Sequence, residues 1–477
     1  MSAGSTTVTD RETVSRANGV SEIVARQRAF FRSGATRSRA FRLAQLETLR
    51  SAIPAVESEL YAALWEDLHK GKFETFTSEV ALLYDEIRHT RRHLKRWMAR
   101  RRVATPILHA PASSYTVHRP LGVSAILSPW NYPFQLAIAP VIAAIAAGNT
   151  AVIKPSEFAP ATAEVIKRMI TDNFDPAYLA CVTGDGTVAA ELTSAPVDHI
   201  FFTGSTRVGR VVMRAAAERL VPVTLELGGK SPAIVTDSAR IDVTARRILW
   251  GKMLNAGQTC VAPDYVVAHR SVVDELIPAL SRGLNEFFPK GPQTSADYGR
   301  IINEAHYTRL REIMQRQAAQ GEAILGGDHD PQTRYIGPTV YHPVGWDDPV
   351  MEDELFGPLL PIIPYDSLEH VFDRIAERPN PLAAYLFTEH GSDIERFEQS
   401  ISFGGGTIND TIVHLVNPEL PFGGCGPSGL GSYHGYAGFR AFSHETSIMR
   451  RSSRFDVRLK YPPYGNALNL VRRVMRP

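Results

Sequence analysis

The sequence predicts an α/β protein with two parallel-sheet α/β domains in tandem. Three observations carry that expectation. At 477 residues the chain exceeds what one hydrophobic core usually serves. From about residue 115 onward, short β-branched runs ("AVIKP", "HIFFTGS", "VTLELGG", "SPAIVTDS") alternate with Ala-rich helical stretches, the pattern of βαβ units. A second alternating series follows Cys260, from "DYVVAHR" through "LPIIPYDS" to "AAYLFT".

In chain order, residues 1–18 are polar and are expected to be a disordered arm. "EIVARQRAFFRSG" and "RAFRLAQLETLRSAIPAVESELYAALWEDLHK" then give helical periodicity to about residue 70. The apolar run Leu136 to Ile153 approaches the length of a membrane span, but it contains Pro140, Gly148 and Asn149 and turns from Ala-rich to β-branched after Gly148. It reads as a buried helix, a Gly-Asn turn and a strand ending at Lys154, so no spanning segment is expected. At the far end, "NALNLVRRVMRP" places Leu468, Val471 and Met475 on one helical face and Arg472, Arg473 and Arg476 near the other. Packing on the protein or on a partner chain is the expectation for this tail, ahead of a membrane surface.

Composition narrows the function classes. With 44% hydrophobic and 21% charged residues and a net charge of +2, no global field argues for nucleic acid or an anionic membrane. Cys181, Cys260 and Cys425 are odd in number and lack CxxC spacing, which disfavours a disulfide framework or a zinc site; no metal is expected. The first residues show no apolar signal region, and a cytoplasmic location is expected.

Cys260 stands in "NAGQTCVAPDY", among small, polar and turn-forming residues, whereas a filler cysteine more often sits in an apolar run. A nucleophilic thiol needs a cation, dipole or base nearby, and nothing within three residues of Cys260 is charged. A carboxylate base fits best, and Glu226, followed by Gly228 and Gly229, is the candidate. Asn131 in "SPWNYPF" offers a side-chain amide for an oxyanion. In "HIFFTGSTRVGRVV" a strand ends at Gly204 and a helix starts with Ser205 or Thr206 as its cap, a turn that suits phosphate and equally suits an ordinary strand-to-helix connection. Glu226 lies 22 residues after Gly204, near the place of a ribose-holding acid, while Lys154 and Glu157 in "AVIKPSE" form a competing ribose pair that would free Glu226 for chemistry. Cys425 and Cys181 read as structural.

These residues carry a resemblance. "PWNYPF", "AGNTAVIKPSE", "FTGSTRVG", "ELGGKSP", "GQTCVAPDY", "EDELFGPLLPI", "IND" and "LPFGGCGPSGLGSYHG" appear in the order found in NAD(P)-dependent aldehyde dehydrogenases, over residues from about 20 to 465. "CVAPDY", "GSYHG" with "FSH" after it and the closing "YPPY" make the chain similar to the class 3 branch. The resemblance implies Cys260 as nucleophile, Glu226 as base and Asn131 as oxyanion donor. For the cofactor it implies Trp130, Lys154, Glu157, the loop Gly204, Ser205, Thr206, Arg207, Val208 and Gly209, then Leu227, Glu354 and Phe356. The cofactor is NAD or NADP, with NAD ahead; Tyr132, Phe422 and Phe442 would line an aldehyde tunnel.

The resemblance also implies an organisation: 1–18 an arm; 19–98 and 121–228 a variant Rossmann cofactor domain, with 428–444 packing back on it; 229–427 a catalytic domain; 99–120 and 445–455 a small β oligomerisation element; and 456–477 a tail. A homodimer acting on a small-molecule aldehyde follows from the same likeness. Two other classes stay open at this stage, a cofactor-independent cysteine esterase and a non-catalytic protein keeping the fold. Retention of Cys260, Glu226 and Asn131 argues against the second.

Overall fold

The computed structural model describes residues 8–321, 323–456, 461–465 and 467–475. Two large sheets organise the chain. The six-stranded sheet runs in the order Gly429–Leu430, Val223–Glu226, His199–Thr203, Val123–Leu127, Thr150–Lys154, Leu179–Cys181. All neighbours in it are parallel except the first pair. The seven-stranded sheet has the order Ala323–Leu325, Thr339–Tyr341, Leu359–Tyr365, Tyr265–His269, Pro232–Val235, Ala383–Phe387, Gly405–Ile408, and only Ala323–Leu325 is antiparallel. The chain passes from one sheet to the other between Glu226 and Pro232. Strands Val123–Leu127, Thr150–Lys154, His199–Thr203 and Pro232–Val235 are buried at every position, as β-branched runs covered on both faces should be.

The apolar run at Leu136 forms the helix Gln135–Ala147, buried on every side. Gly148 ends it at φ 91°, in the left-handed region glycine tolerates. A side chain there would strike the Arg42 guanidinium, which donates to the Ala146 carbonyl 2.9 Å away and so caps the negative end of the helix. Asn149 then accepts from the Gly122 N–H at 2.7 Å and donates to the Phe442 carbonyl at 2.8 Å, tying the turn to two distant segments.

A third, antiparallel sheet joins Arg101–Val103, Ala112–Pro120 and Ser443–Arg451, with Ser443 opposite Pro120 and Arg451 opposite Ala112. Ser443–Arg451 lies at its edge, with one side unpaired among the described residues.

Two sequence expectations change. The arm is not uniformly disordered, since one helix runs Val8–Arg32; residues 1–7 lie outside the described residues. Val20 and Val24 are buried, and extending a helix from a docked segment needs no new nucleus. The tail forms the helix Ala467–Met475, and Leu468, Val471 and Met475 are exposed by 57%, 37% and 63%, so of the two expected docking partners, this chain and a partner chain, these three side chains do not meet the first among the described residues. No helix among the described residues is long and apolar enough to cross a membrane.

Candidate active site

The loop bearing Cys260 is made by breaking a helix. After Ile241–Met253, residues Asn255, Ala256 and Gly257 take φ values of 51°, 51° and 77°. Gly257 must be glycine, because a Cβ would lie 2.3 Å from the Gly357 carbonyl oxygen. The two non-glycine residues are strained, and a set of buried hydrogen bonds holds them. The Asn255 amide donates to the Asn131 carbonyl at 2.8 Å and to the Gln258 carbonyl at 3.2 Å, and its backbone N–H donates to Glu74 Oε1 at 2.7 Å. Gln258 donates to the Asn255 and Arg300 carbonyls at 3.0 and 2.9 Å and accepts from the Ile302 N–H at 3.0 Å. Cys260, half-buried, is therefore presented on a fixed platform.

Asn131 follows the strand Val123–Leu127 and is 3% exposed. Its Nδ2 lies 3.1 Å from the Gln258 carbonyl, two residues before Cys260. That bond uses one amide hydrogen and leaves the second for another acceptor. Tyr132 meets the same loop, its hydroxyl 2.7 Å from Thr259 Oγ1.

Glu226 ends the strand Val223–Glu226 beside Thr203. It is 2% exposed and neither carboxyl oxygen has a hydrogen-bond partner, so burial pushes it well above the ordinary carboxylate range. Glu354 presses on Gly228, where a Cβ would come within 2.1 Å of its Oε2. Burial first, and the Asp264 charge second, push Glu354 up to about 8, against the Gly229 N–H that donates to it. Both carboxyls act on Cys260: burial, then Glu354, then Glu226 push the thiol up to about 12, while the N–H groups of Cys260 and Val261 oppose this. Two carboxyls and a thiol thus share one low-dielectric space in which each resists ionisation.

Trp130 meets Phe356 edge-on at 5.3 Å and His306 at 4.9 Å, and Phe356 holds φ at 48°. Lys154, 4% exposed, closes the strand Thr150–Lys154, and its Nζ lies 2.5 Å from Glu157 Oε2. Ser205 caps the helix Thr206–Ala217, accepting from the Val208 N–H at 3.4 Å, and Thr206 donates to the Pro427 carbonyl at 3.0 Å. Arg207 and Val208 are exposed. Gly209 is buried, and a Cβ on it would reach within 2.6 Å of the Leu227 side chain, so this glycine serves helix-to-strand packing.

Of the three tunnel candidates, Phe442 is a correction. It is fully buried, stacked on Phe201 at 5.8 Å and against His199 at 4.5 Å, and belongs to the core under the six-stranded sheet. An aromatic residue following a helix packs inward when two more rings wait below it. Phe422 is 8% exposed and pairs with Tyr433. Cys181 ends the strand Leu179–Cys181, and the Cys425 N–H donates to Ser428 Oγ at 3.0 Å in a turn.

Several supporting residues escaped the sequence reading. Lys70 and Glu79 form a fully buried ion pair at 2.6 Å. Lys70 also donates to the Asn131 carbonyl at 3.0 Å and lies 4.1 Å over the Tyr132 ring. Glu79 accepts from the Phe134 and Gln135 N–H groups at 3.1 and 2.9 Å, fixing the N-terminus of the helix behind Asn131. Glu74, raised to about 7 chiefly by burial, supports Asn255. Charges in "KGKFETFTSEV" look like a solvated face, and nothing in their spacing announces partners 55 or more residues away.

The chemistry this space permits, a thiol with amide donors and a buried carboxyl, agrees with what the chain is similar to. The family model described as the aldehyde dehydrogenase family matches residues 4–448. The 4,4'-diaponeurosporen-aldehyde dehydrogenase of Staphylococcus aureus is 46% identical over 445 residues, 93% of this chain and 96% of that protein. Aldehyde dehydrogenase family 3 member H1 of Arabidopsis thaliana is 43% identical over 446 residues, 93% and 92% of the two chains. A substrate-bound structure of Staphylococcus aureus AldH superposes with a TM-score of 0.92 at 45% identity, covering 95% of this chain and 99% of that one. With a family match over almost its whole length, and with family 3 members among its relatives, the chain belongs to the aldehyde dehydrogenases, enzymes that use NAD or NADP.

Proposed function

We propose that the protein oxidises an aldehyde to the carboxylic acid through a covalent intermediate on Cys260, with water as the acyl acceptor. What supports this reading is that Asn131 bonds the Gln258 carbonyl two residues before Cys260 and that the Glu226 carboxyl lies near enough to act on the Cys260 thiol by its charge, although the three come from separate segments of the chain. Glu226 in its ionised form takes the Cys260 proton and passes it to solvent, and the freed sulfur adds to the aldehyde carbon. The resulting oxyanion accepts the second Asn131 amide hydrogen and the Cys260 N–H, donors of a kind worth roughly 2.7–4 kcal/mol when set in advance. A bound nicotinamide would supply the hydride acceptor and a positive charge. Loss of hydride from the tetrahedral carbon leaves a thioester on Cys260. Glu226 then takes a proton from water, the oxygen adds to the thioester carbon, and the sulfur departs as thiolate, releasing the acid.

The residues fit such a cofactor. Lys154 and Glu157 stand at the carboxyl end of a central strand, where a ribose diol would meet a cation and a carboxylate, and Ser205 to Val208 present a capped helix N-terminus to phosphate. Glu354 and Phe356, packed on Gly228 and Trp130, would border the nicotinamide. On this reading 19–98 and 121–228 with 428–444 hold the cofactor and 229–427 the catalytic loop. The exposed edge strand Ser443–Arg451, with 99–120, is where a second copy would add. A reducing compartment such as the cytoplasm suits the free thiol of Cys260.

Glu226→Gln tests the mechanism. Its kcat falls by about 10²- to 10³-fold while the acyl-enzyme on Cys260 accumulates, visible as a mass increase on the intact chain. Because burial raises the Glu226 carboxyl, the deacylation rate of the parent enzyme climbs with pH as that group ionises, and the variant loses this climb. A variant with the parental kcat and pH profile removes Glu226 from the reaction. Hydrolysis of an ester by the parent enzyme, with no cofactor reduced across aliphatic and aromatic aldehydes, transfers the site to the esterase class. Glu157→Gln shifts preference toward NADP, by roughly tenfold in the ratio of kcat/KM values, since a carboxylate opposes a 2′-phosphate. An unchanged ratio in steady-state kinetics with both cofactors refutes the ribose assignment.

A further inference from the structure

Helix Ala81–Trp97 carries His89 and His93 four residues apart, so both imidazoles rise from one face with their ring centroids 4.3 Å apart. Nδ1 of His93 lies 2.9 Å from the His89 carbonyl. A carbonyl only accepts, so that nitrogen bears the hydrogen, and Nε2 of His93 keeps its lone pair. This is how a metal-ligating imidazole is usually oriented by its other nitrogen. Nε2 of His89 is buried without a hydrogen-bond partner and lies 3.7 Å from Glu419 Oε1. Glu419 follows the turn Val413–Val416 and is held by its own N–H donating to Asn417 Oδ1 at 3.1 Å. One ligand atom from each of these three side chains lies within 4.8 Å of the other two.

We propose that His89, His93 and Glu419 bind one divalent transition-metal ion of the zinc type, at a site apart from Cys260. A tetrahedral ion with bonds near 2.1 Å needs donors roughly 3.4 Å apart, so small rotations of the half-buried His93 and the exposed Glu419 complete the set. Two neutral imidazoles and one carboxylate are donors zinc accepts, and three protein ligands leave a fourth position for water. The three ligands would join helix Ala81–Trp97 to the turn between His414 and Phe422. His414 stacks on Phe422 at 6.1 Å, so the ion would brace a segment that borders the proposed aldehyde approach.

The test uses the untagged full chain carrying Cys260→Ala, which removes one competing thiol, while Cys181 and Cys425 stay the same in parent and variants. Zn²⁺ titrated against a chromophoric chelator is expected to bind at one ion per chain, and added His93→Ala weakens it by at least about tenfold. Cobalt substituted at the site gives d–d bands of nitrogen and oxygen ligation, and these bands vanish in His93→Ala. Glu419→Gln, on an exposed side chain that does not threaten folding, also weakens Zn²⁺ binding, and circular dichroism confirms an unchanged fold. Failure of the parent to compete with the chelator overturns the site. So does binding that neither variant alters.

Discussion

Cys260→Ala abolishes aldehyde oxidation, by roughly 10⁴-fold or more in kcat, while cofactor binding stays measurable. The size of the effect follows from how the loop is built. Strained Asn255 and Ala256 and the side chains of Asn255 and Gln258 exist to place one sulfur, and removing the sulfur leaves that framework standing. No second thiol can substitute, because Cys181 ends a strand of the six-stranded sheet and Cys425 sits in the turn bonded to Ser428. Growth of reduced-cofactor absorbance with an added aldehyde reads the activity, and quenching of protein fluorescence by the cofactor reads binding. Turnover within tenfold of the parent would place the nucleophile elsewhere.

Lys70→Met destabilises the fold by about 3–5 kcal/mol, because it strands the Glu79 carboxylate in a fully buried position. The parent pair is 0% exposed on both sides, so solvent does not screen it. The change also removes the donor to the Asn131 carbonyl and the cation over the Tyr132 ring, so kcat falls with stability even at temperatures where the variant is folded. Urea unfolding at neutral pH measures the first effect, and kcat of the folded variant the second. Adding Glu79→Gln to Lys70→Met recovers part of the stability, since the stranded charge is gone, but leaves kcat low, since the Asn131 carbonyl still lacks the Lys70 donor and keeps only that of Asn255. A loss below about 1 kcal/mol would show that water reaches the pair or that Glu79 is satisfied by the Phe134 and Gln135 N–H groups alone.

Legibility differed from element to element. The helix Gln135–Ala147, its Gly148 end and the strand to Lys154 followed directly from a change of apolar pattern and one glycine. The Ser205 cap followed from the turn chemistry of "TGST". Phe442 was misread because an aromatic residue looks the same in a tunnel wall and in a core, and only its neighbours Phe201 and His199 decide. Lys70, Glu79 and Glu74 were invisible because buried ion pairs and helix supports are made between residues far apart in the chain.

By itself the sequence determined the two-sheet α/β class and the ends of several elements and singled out Cys260, Glu226 and Asn131 as candidates, because periodicity, caps and residue chemistry are local properties. Only the tertiary structure decided how those side chains behave. The Glu226 carboxyl and the Cys260 thiol resist ionisation because the fold removes water from around them and brings Glu354 beside the sulfur. Desolvation and through-space charge depend on position in three dimensions, and no spacing along the chain encodes them.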